Sequence, residues 1–226
     1  WEKATIKPPD TMGKDVYIGL DLSKSSDLTS ISWLVPEDGY LYADSHSFVG
    51  TKYGLEEKIK RDGFDYISGA SRGECSITKL DSGMIDYDEV LRFIIDLIEQ
   101  NQWNVRAICY DPWSFGYLLP EFEKRDLPMI EVRQGQRTLS IPTVRFRDDL
   151  FNGLLKHADN QLLAYAVNNA ILKYDANNNA IINKAHNATK IDPLAALMNA
   201  YTIAMDQSKE SEVADNDFYS SDDFSF

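Results

Sequence analysis

The chain has 226 residues, 43% of them hydrophobic, which fits one domain with a substantial core. No apolar run approaches the roughly 18 residues of a membrane helix, Trp1-Glu2-Lys3-Ala4 lacks the layout of a signal peptide, and two cysteines, Cys75 and Cys109, are too few for a disulfide scaffold and point to a reducing compartment. A net charge of -13 weighs against nucleic-acid binding, which calls for Lys and Arg, but from Asp206 onward seven acids face one base, Lys209, so nearly half of that charge belongs to the tail.

Residues 1–14 mix Pro, Lys and Gly without periodicity and read as a linker. Three strands follow over 16–22, 29–35 and 40–48, the last two joined through Pro36-Glu37-Asp38-Gly39 as a hairpin. The stretch 51–85 is less regular: a short helix over 54–61, a hairpin-like excursion over 74–80, and the character of a lid or insertion. From Asp86, a plausible N-cap, the residues Val90, Phe93, Ile94, Leu97 and Ile98 repeat on one helix face. A short buried strand over 105–110 stops at Asp111-Pro112. A second helix spans 115–124, a fifth strand 129–132, and a third helix 144–156 with Phe151, Leu154 and Leu155 on one side. Residues 162–168 add another helical stretch. Asp175-Ala176-Asn177-Asn178-Asn179 turns a hairpin between 171–174 and 180–183. The last helix covers 192–205, and the acidic, Ser-rich residues 207–226 carry no packing pattern and are expected to be disordered.

Strands first in a meander and then alternating with helices imply an α/β fold. Its mixed central sheet has an antiparallel meander of the first three strands, then parallel fourth and fifth strands, with helices on both faces. That is the layout of the ribonuclease-H-like fold.

Three carboxylates stand out. Alternation along the first strand puts Val16, Ile18, Leu20 and Leu22 on one face and Tyr17, Gly19, Asp21 and Ser23 on the other. A charge inside such a strand costs several kcal/mol unless it is compensated, by a lysine, by a helix end or by a metal ion. Gly19 is expected to leave room beside Asp21 for a hydrated ion or a phosphate. Asp111 closes the fourth strand, where Asp-Pro is also a common turn starter. Asp192, before Pro193, has the form of an ordinary N-cap, yet Ala195 and Ala196 in the next turn are expected to leave an open floor beneath it. Together the three could hold two hard divalent ions about 4 Å apart, a pair suited to in-line phosphodiester cleavage.

The motifs occur in a recognisable order: Gly19-Leu20-Asp21-Leu22-Ser23 with Asp27-Leu28-Thr29, Ile85-Asp86-Tyr87-Asp88, Tyr110-Asp111-Pro112-Trp113, Val132-Arg133-Gln134-Gly135 before Leu139-Ser140, and Lys190-Ile191-Asp192-Pro193-Leu194-Ala195-Ala196-Leu197. As a set covering roughly residues 16 to 205, they resemble the C-terminal nuclease domain of the tailed-phage terminase large subunit. The resemblance implies a Mg2+- or Mn2+-dependent endonuclease that uses two ions and cuts concatemeric viral DNA with little sequence specificity, leaving 5′-phosphate and 3′-hydroxyl ends. It implies catalytic and metal-binding roles for Asp21, Asp111 and Asp192. It further implies double-stranded DNA, the small terminase subunit and the portal or procapsid as partners, action in the host cell cytoplasm, and no membrane. Family members also carry an N-terminal packaging ATPase. No Gly-x-x-x-x-Gly-Lys-[Ser/Thr] loop occurs here, so 15–206 is expected as the nuclease domain and 1–14 as the linker from that ATPase.

Asp27, Lys190 and His186 are candidates for a supporting role beside the aspartates; a helix cap, a solvated lysine and a surface histidine are their ordinary alternatives. Arg133, Arg137, Arg145 and Arg147, with no acid among them, suit phosphate contacts that position DNA without reading it; a solvated face is the alternative. Lys52, Lys58, Lys60, Arg61 and Arg72 in 51–85 are candidates for gating or tracking the duplex. Two other readings compete. A Gly-x-Asp-x-Ser strand also opens the actin and sugar-kinase fold, which needs a duplicated half that 226 residues cannot easily contain. The other is a non-enzymatic acidic module docking on a portal or capsid.

Overall fold

The computed structural model describes residues 1–23, 28–113, 118–176, 179–184 and 189–205. Strand β1 (Asp15–Asp21) is the centre of the main sheet. Strands β2 (Leu28–Glu37) and β3 (Tyr40–Val49) extend it as an antiparallel meander on one side. On the other side lie the parallel strands β5 (Asn104–Tyr110) and β6 (Met129–Glu131). The outer edge of β3 is shared by two short parallel strands. Strand β7 (Leu155–His157) pairs with its start and β4 (Cys75–Ile77) with its end. The meander followed by parallel strands is the expected ribonuclease-H-like arrangement.

Both faces are covered, as the alternation in β1 requires. Val16, Ile18 and Leu20 pack in one core with Val90 and Ile94 of α3 (Tyr87–Asn101) and Phe122 of α4 (Leu119–Glu123). Asp86 caps α3 as expected, accepting from the Asp88 and Glu89 amides at 3.0 and 3.2 Å. On the opposite face Tyr17, Ala107 and Cys109 meet Phe146 of α5 (Gln136–Phe151), Leu163 of α6 (Gln161–Asn168) and Leu197, Ala200 and Tyr201 of α7 (Asp192–Ala204).

Gly19 determines how closely α7 can approach. A Cβ there would lie 1.9 Å from the Ala196 carbonyl oxygen and 2.8 Å from the Ala200 nitrogen. The space expected to admit an ion beside Gly19 is therefore filled by the helix backbone, and Ala196, fully buried, is packed against the strand rather than forming an open floor. Ser32 Oγ donates to the Pro193 carbonyl (2.8 Å) and Asn199 Nδ2 to the Leu20 carbonyl (2.9 Å), so α7 is pinned to both β2 and β1.

Several expected elements differ. The expected helix over 144–156 is α5 plus β7: the helix runs through Pro142, Gly153 (φ 74) breaks the chain, and Leu155 enters the sheet. Phe151 is 82% exposed, so the supposed apolar face does not exist; a run this short fits a helix or a strand equally. The excursion over 74–80 holds one strand, β4, paired with β3 rather than with itself. Within 51–85, α1 (Leu55–Asp62) and α2 (Tyr66–Ser71) pack through a third core of Leu28, Val49, Tyr66, Cys75 and Leu162. The hairpin is β8 (Ala170–Tyr174) and β9 (Ala180–Lys184), a separate two-stranded sheet. Residues 1–14 lie against the domain: the Trp1 ring stacks on His157 at 3.8 Å and the Ile6 amide donates to the His157 carbonyl (2.9 Å). The expected disordered tail, 207–226, lies outside the described residues, and among those described no helix is long and apolar enough to cross a membrane.

Two packing features predict measurable behaviour. Gly19→Ala forces α7 off β1, and overpacking of this kind typically costs about 1–3 kcal/mol or more; urea denaturation should show a loss at the upper end of that range. Near the outer edge, burial raises the Asp44 carboxyl to about 6, and burial pushes the His46 imidazole down to about 4. From pH 4 to 6 folded Asp44 holds a proton that the unfolded chain has released, so this group makes stability fall as pH rises. His46 has the opposite sign, because the unfolded imidazole protonates first as pH drops below its ordinary 6.5. In Asp44→Asn the first contribution is gone, and the urea midpoint should climb more steeply between pH 4 and 6 than in the parent.

Candidate active site

The register between β1 and β5 pairs Leu20 with Tyr110. The next residue on each strand is an aspartate, so Asp21 and Asp111 stand side by side at the carboxyl edge of two parallel neighbours. Asp21 is the last residue of β1 rather than its middle and is half-buried, which lowers the cost of its charge. Beside it the Tyr87 hydroxyl donates to the Ser23 carbonyl, and burial, with the Asp21 charge adding, pushes that phenol up. Asp111 is also half-buried and accepts from the Trp113 amide (3.2 Å). That bond is the turn-forming contact expected of Asp-Pro, made with one oxygen of the carboxylate.

Asp192 is the first residue of α7, and the cap position before it is Ile191. It is therefore not the N-cap its sequence resembles, although a carboxylate in a first helical turn is favoured by the helix dipole. It is 8% exposed, on the β2 side of the sheet. Its charge adds to burial in pushing up the phenols of Tyr66 and Tyr165. The floor beneath this end of α7 is polar and small: Ser30 and Ser32 on β2 and Ser47 on β3 are fully buried, with Ser30 and Ser47 hydroxyls 2.8 Å apart.

Behind Asp192 is a network that sequence patterns do not reveal. The Tyr165 hydroxyl of α6 donates to the Asp62 carbonyl at the end of α1. The Asp62 carboxylate is buried and accepts from Tyr66 (2.9 Å), with Lys58 Nζ 3.5 Å and Arg61 Nε 2.7 Å away. The only sequence trace of this network is the i,i+4 pair Lys58 and Asp62 on a helix. Lys190 is itself buried, 5% exposed, rather than a solvated lysine.

The arginines do not stay together. Arg133 follows β6 at the carboxyl edge, and Arg137 lies in the first turn of α5; both are exposed. Helix α5 then returns to the far edge, where β7 pairs with the start of β3. Arg145 and Arg147 ride with it, about 12 and 15 Å along the axis from Arg137. There Arg147 is held by Asp148 (2.9 Å) and Arg145 faces Asp149 (3.7 Å). Asp27 and His186 lie outside the described residues.

Among the described residues no three His, Cys, Asp or Glu side chains are grouped closely enough to hold a metal ion. The donor chemistry nevertheless suits a hard divalent cation, since the candidate ligands are all carboxylates and two of them end adjacent strands.

A family profile described as "Terminase large subunit, endonuclease domain" matches residues 1–208. The chain belongs to this terminase nuclease family. It is 25% identical over 199 residues to the terminase large subunit of Enterobacteria phage HK97, an alignment covering 87% of this chain and 38% of that protein. It is 26% identical over 195 residues to the terminase large subunit of Lactococcus phage SK1, covering 84% and 35%. The chain thus spans little more than a third of the length of these relatives. Among solved structures, the HK97 bacteriophage large terminase superposes with a TM-score of 0.79 at 24% identity, covering 90% of this chain and 42% of that one. The large terminase nuclease of thermophilic phage G20c gives 0.55 at 12%, covering 84% and 82%. A second structure of the G20c nuclease, with bound magnesium, gives 0.51 at 12%, covering 88% and 84%. These likenesses establish the fold as that of the terminase nucleases.

The bond from Tyr165 to α1 has a direct test. Tyr165→Phe keeps the ring but removes the hydroxyl that donates to the Asp62 carbonyl, and should lower unfolding free energy by about 1 kcal/mol, read from urea titration.

Proposed function

We propose that this chain is the nuclease portion of a packaging terminase, cutting concatemeric double-stranded viral DNA by metal-dependent phosphodiester hydrolysis with little sequence specificity. The observation that carries the reading is the register of β1 and β5, which puts Asp21 and Asp111 next to each other at a sheet edge in a chain of the terminase endonuclease family. In this reading Asp21 and Asp111 hold Mg2+ or Mn2+ from the sheet and Asp192 contributes from the start of α7. Two such ions would be held by these three carboxylates. The magnesium bound in the G20c nuclease structure supports the choice of ion. Such ions, when bound, supply an activated water and stabilise the leaving oxygen of an in-line displacement.

The residues of this chain do the positioning. The bonds from Ser32 to Pro193 and from Asn199 to Leu20 fix the first turn of α7, and with it Asp192, relative to β1 and β2. Tyr165 ties α6, which packs on α7, to the end of α1. Arg133 and Arg137, exposed at the carboxyl edge, are placed to meet DNA phosphates without reading bases. Asp27, Lys190 and His186 remain supporting candidates in this reading. The small terminase subunit and the portal or procapsid are the proposed partners, in the host cell cytoplasm, and no membrane takes part.

Plasmid cleavage with Mg2+ or Mn2+ tests the assignment. Asp21→Ala, Asp111→Ala and Asp192→Ala should each reduce cutting by on the order of 100-fold or more, the scale of losing a charge-stabilising group, and chelator should abolish it. Cutting at the parent rate by all three variants would overturn it.

A further inference from the structure

In the stretch Val132-Arg133-Gln134-Gly135, which leaves β6 for α5, only Arg133 meets DNA in the reading above. Gln134 makes a different set of contacts. Its Nε2 donates to Asn199 Oδ1 on α7 (3.0 Å) and to the Val132 carbonyl (3.3 Å). A carboxamide nitrogen carries two hydrogens, so both are used. Asn199, 3% exposed, extends the path inward, its Nδ2 donating to the Leu20 carbonyl (2.9 Å). On the other side the Val132 amide donates to the Tyr110 carbonyl (2.8 Å).

The two ends of this path face the candidate site. Leu20 and Tyr110 are register partners on β1 and β5, and the residues that follow them are Asp21 and Asp111. Four hydrogen bonds therefore join the carbonyl groups just before both aspartates. They do so through a side chain of α7, the helix that opens with Asp192, about two turns after that residue. The path has one consistent polarity. Backbone carbonyls only accept, so Asn199 turns its nitrogen to Leu20 and Gln134 its nitrogen to Val132; with either amide reversed, oxygen would face oxygen. Bonds arranged in this way resist sliding of β6 and α7 past the ends of β1 and β5. Carboxylates that share an ion need that, because their spacing must hold to within about 0.5 Å.

We propose that Gln134 is a positioning residue for the paired aspartates: through Asn199 and Val132 it sets the place of Asp21 relative to Asp111 and to α7. The proposal deepens the nuclease reading and rests on it for the metal ion that the carboxylates hold. Gln134 reaches solvent, so water takes over its hydrogen bonds when it is replaced, and the fold survives. Mobile water does not hold Asn199 and Val132 at one separation.

Gln134→Met keeps the length of the side chain and removes both donors. Mn2+ binding is read by calorimetry on the whole chain, and plasmid cutting is resolved into kcat and KM. Gln134→Met should bind Mn2+ on the order of 10-fold more weakly and show kcat lowered on the same scale, the usual effect of losing a group that orients metal ligands. Its KM, its affinity for duplex in chelator and its urea midpoint should stay close to the parent's. Asn199→Ala should show the same pattern, and the double variant should lose no more than Asn199→Ala alone, because both act through one path. If Asn199→Ala does not fold, Gln134→Met decides alone. Parent-like Mn2+ binding and kcat in Gln134→Met overturn the proposal. So does a loss carried entirely by duplex affinity, which would make Gln134 a support for Arg133, and so do additive losses in the double variant. A parent that binds Mn2+ but cuts nothing defeats the nuclease reading, while the positioning role is still scored on Mn2+ affinity. A parent that cuts beside a parent-like Gln134→Met defeats the positioning role alone, and a parent that neither binds Mn2+ nor cuts overturns both.

Discussion

The close approach of α7 to β1 is the constraint on which the rest depends. With only a hydrogen at position 19, the carbonyl of Ala196 and the amide of Ala200 rest on the strand itself. A helix at that distance has no freedom to slide, and two side-chain bonds, Ser32 to Pro193 and Asn199 to Leu20, settle its register along the sheet. Asp192 inherits its location from this contact. The strand's own aspartate, two residues after Gly19, sits on the same face. A packing device and a candidate chemical site are thus one piece of structure.

Polar groups on this face are tolerated because they are small and paired. Ser30 and Ser47 share a hydrogen bond, and Ser32 serves the helix carbonyl, so burial leaves these hydroxyls satisfied. The charges nearer the insertion follow a different rule. Asp62 is buried with two cations and a phenol around it, and a buried ion of that kind is stable only while all its partners remain. The bond that ties this end of α1 to the body of the domain is the one from the Tyr165 hydroxyl of α6 to the Asp62 carbonyl.

Much of the main sheet is legible in the residues. Period-2 alternation in 16–22, the Pro36 to Gly39 turn and the capped amphipathic helix after Asp86 each carry a local signal strong enough to stand alone. Asp21 could be picked out as a charge inside an apolar strand, although it proves to be the strand's last residue, and Asp111 as the close of one. What misled was local ambiguity. Leu154 and Leu155 continue a helical spacing, yet Gly153 separates them from α5 and Leu155 pairs with β3. The expected start of this helix at 144 lies inside α5, which begins at Gln136 and passes through Pro142. The four arginines are one cluster in sequence and two in space, because a helix of sixteen residues carries the last pair to the opposite edge.

By itself the sequence determined the opening meander, the two faces of β1 and the family motifs, and it singled out three aspartates as candidates, because each is written in neighbouring residues. Only the tertiary structure decided that Gly19 makes room for a helix rather than for an ion, and that Tyr165 reaches the end of α1, 103 residues earlier in the chain. Those contacts join residues up to about 180 positions apart, and close approach at such separation follows from sheet register and helix packing.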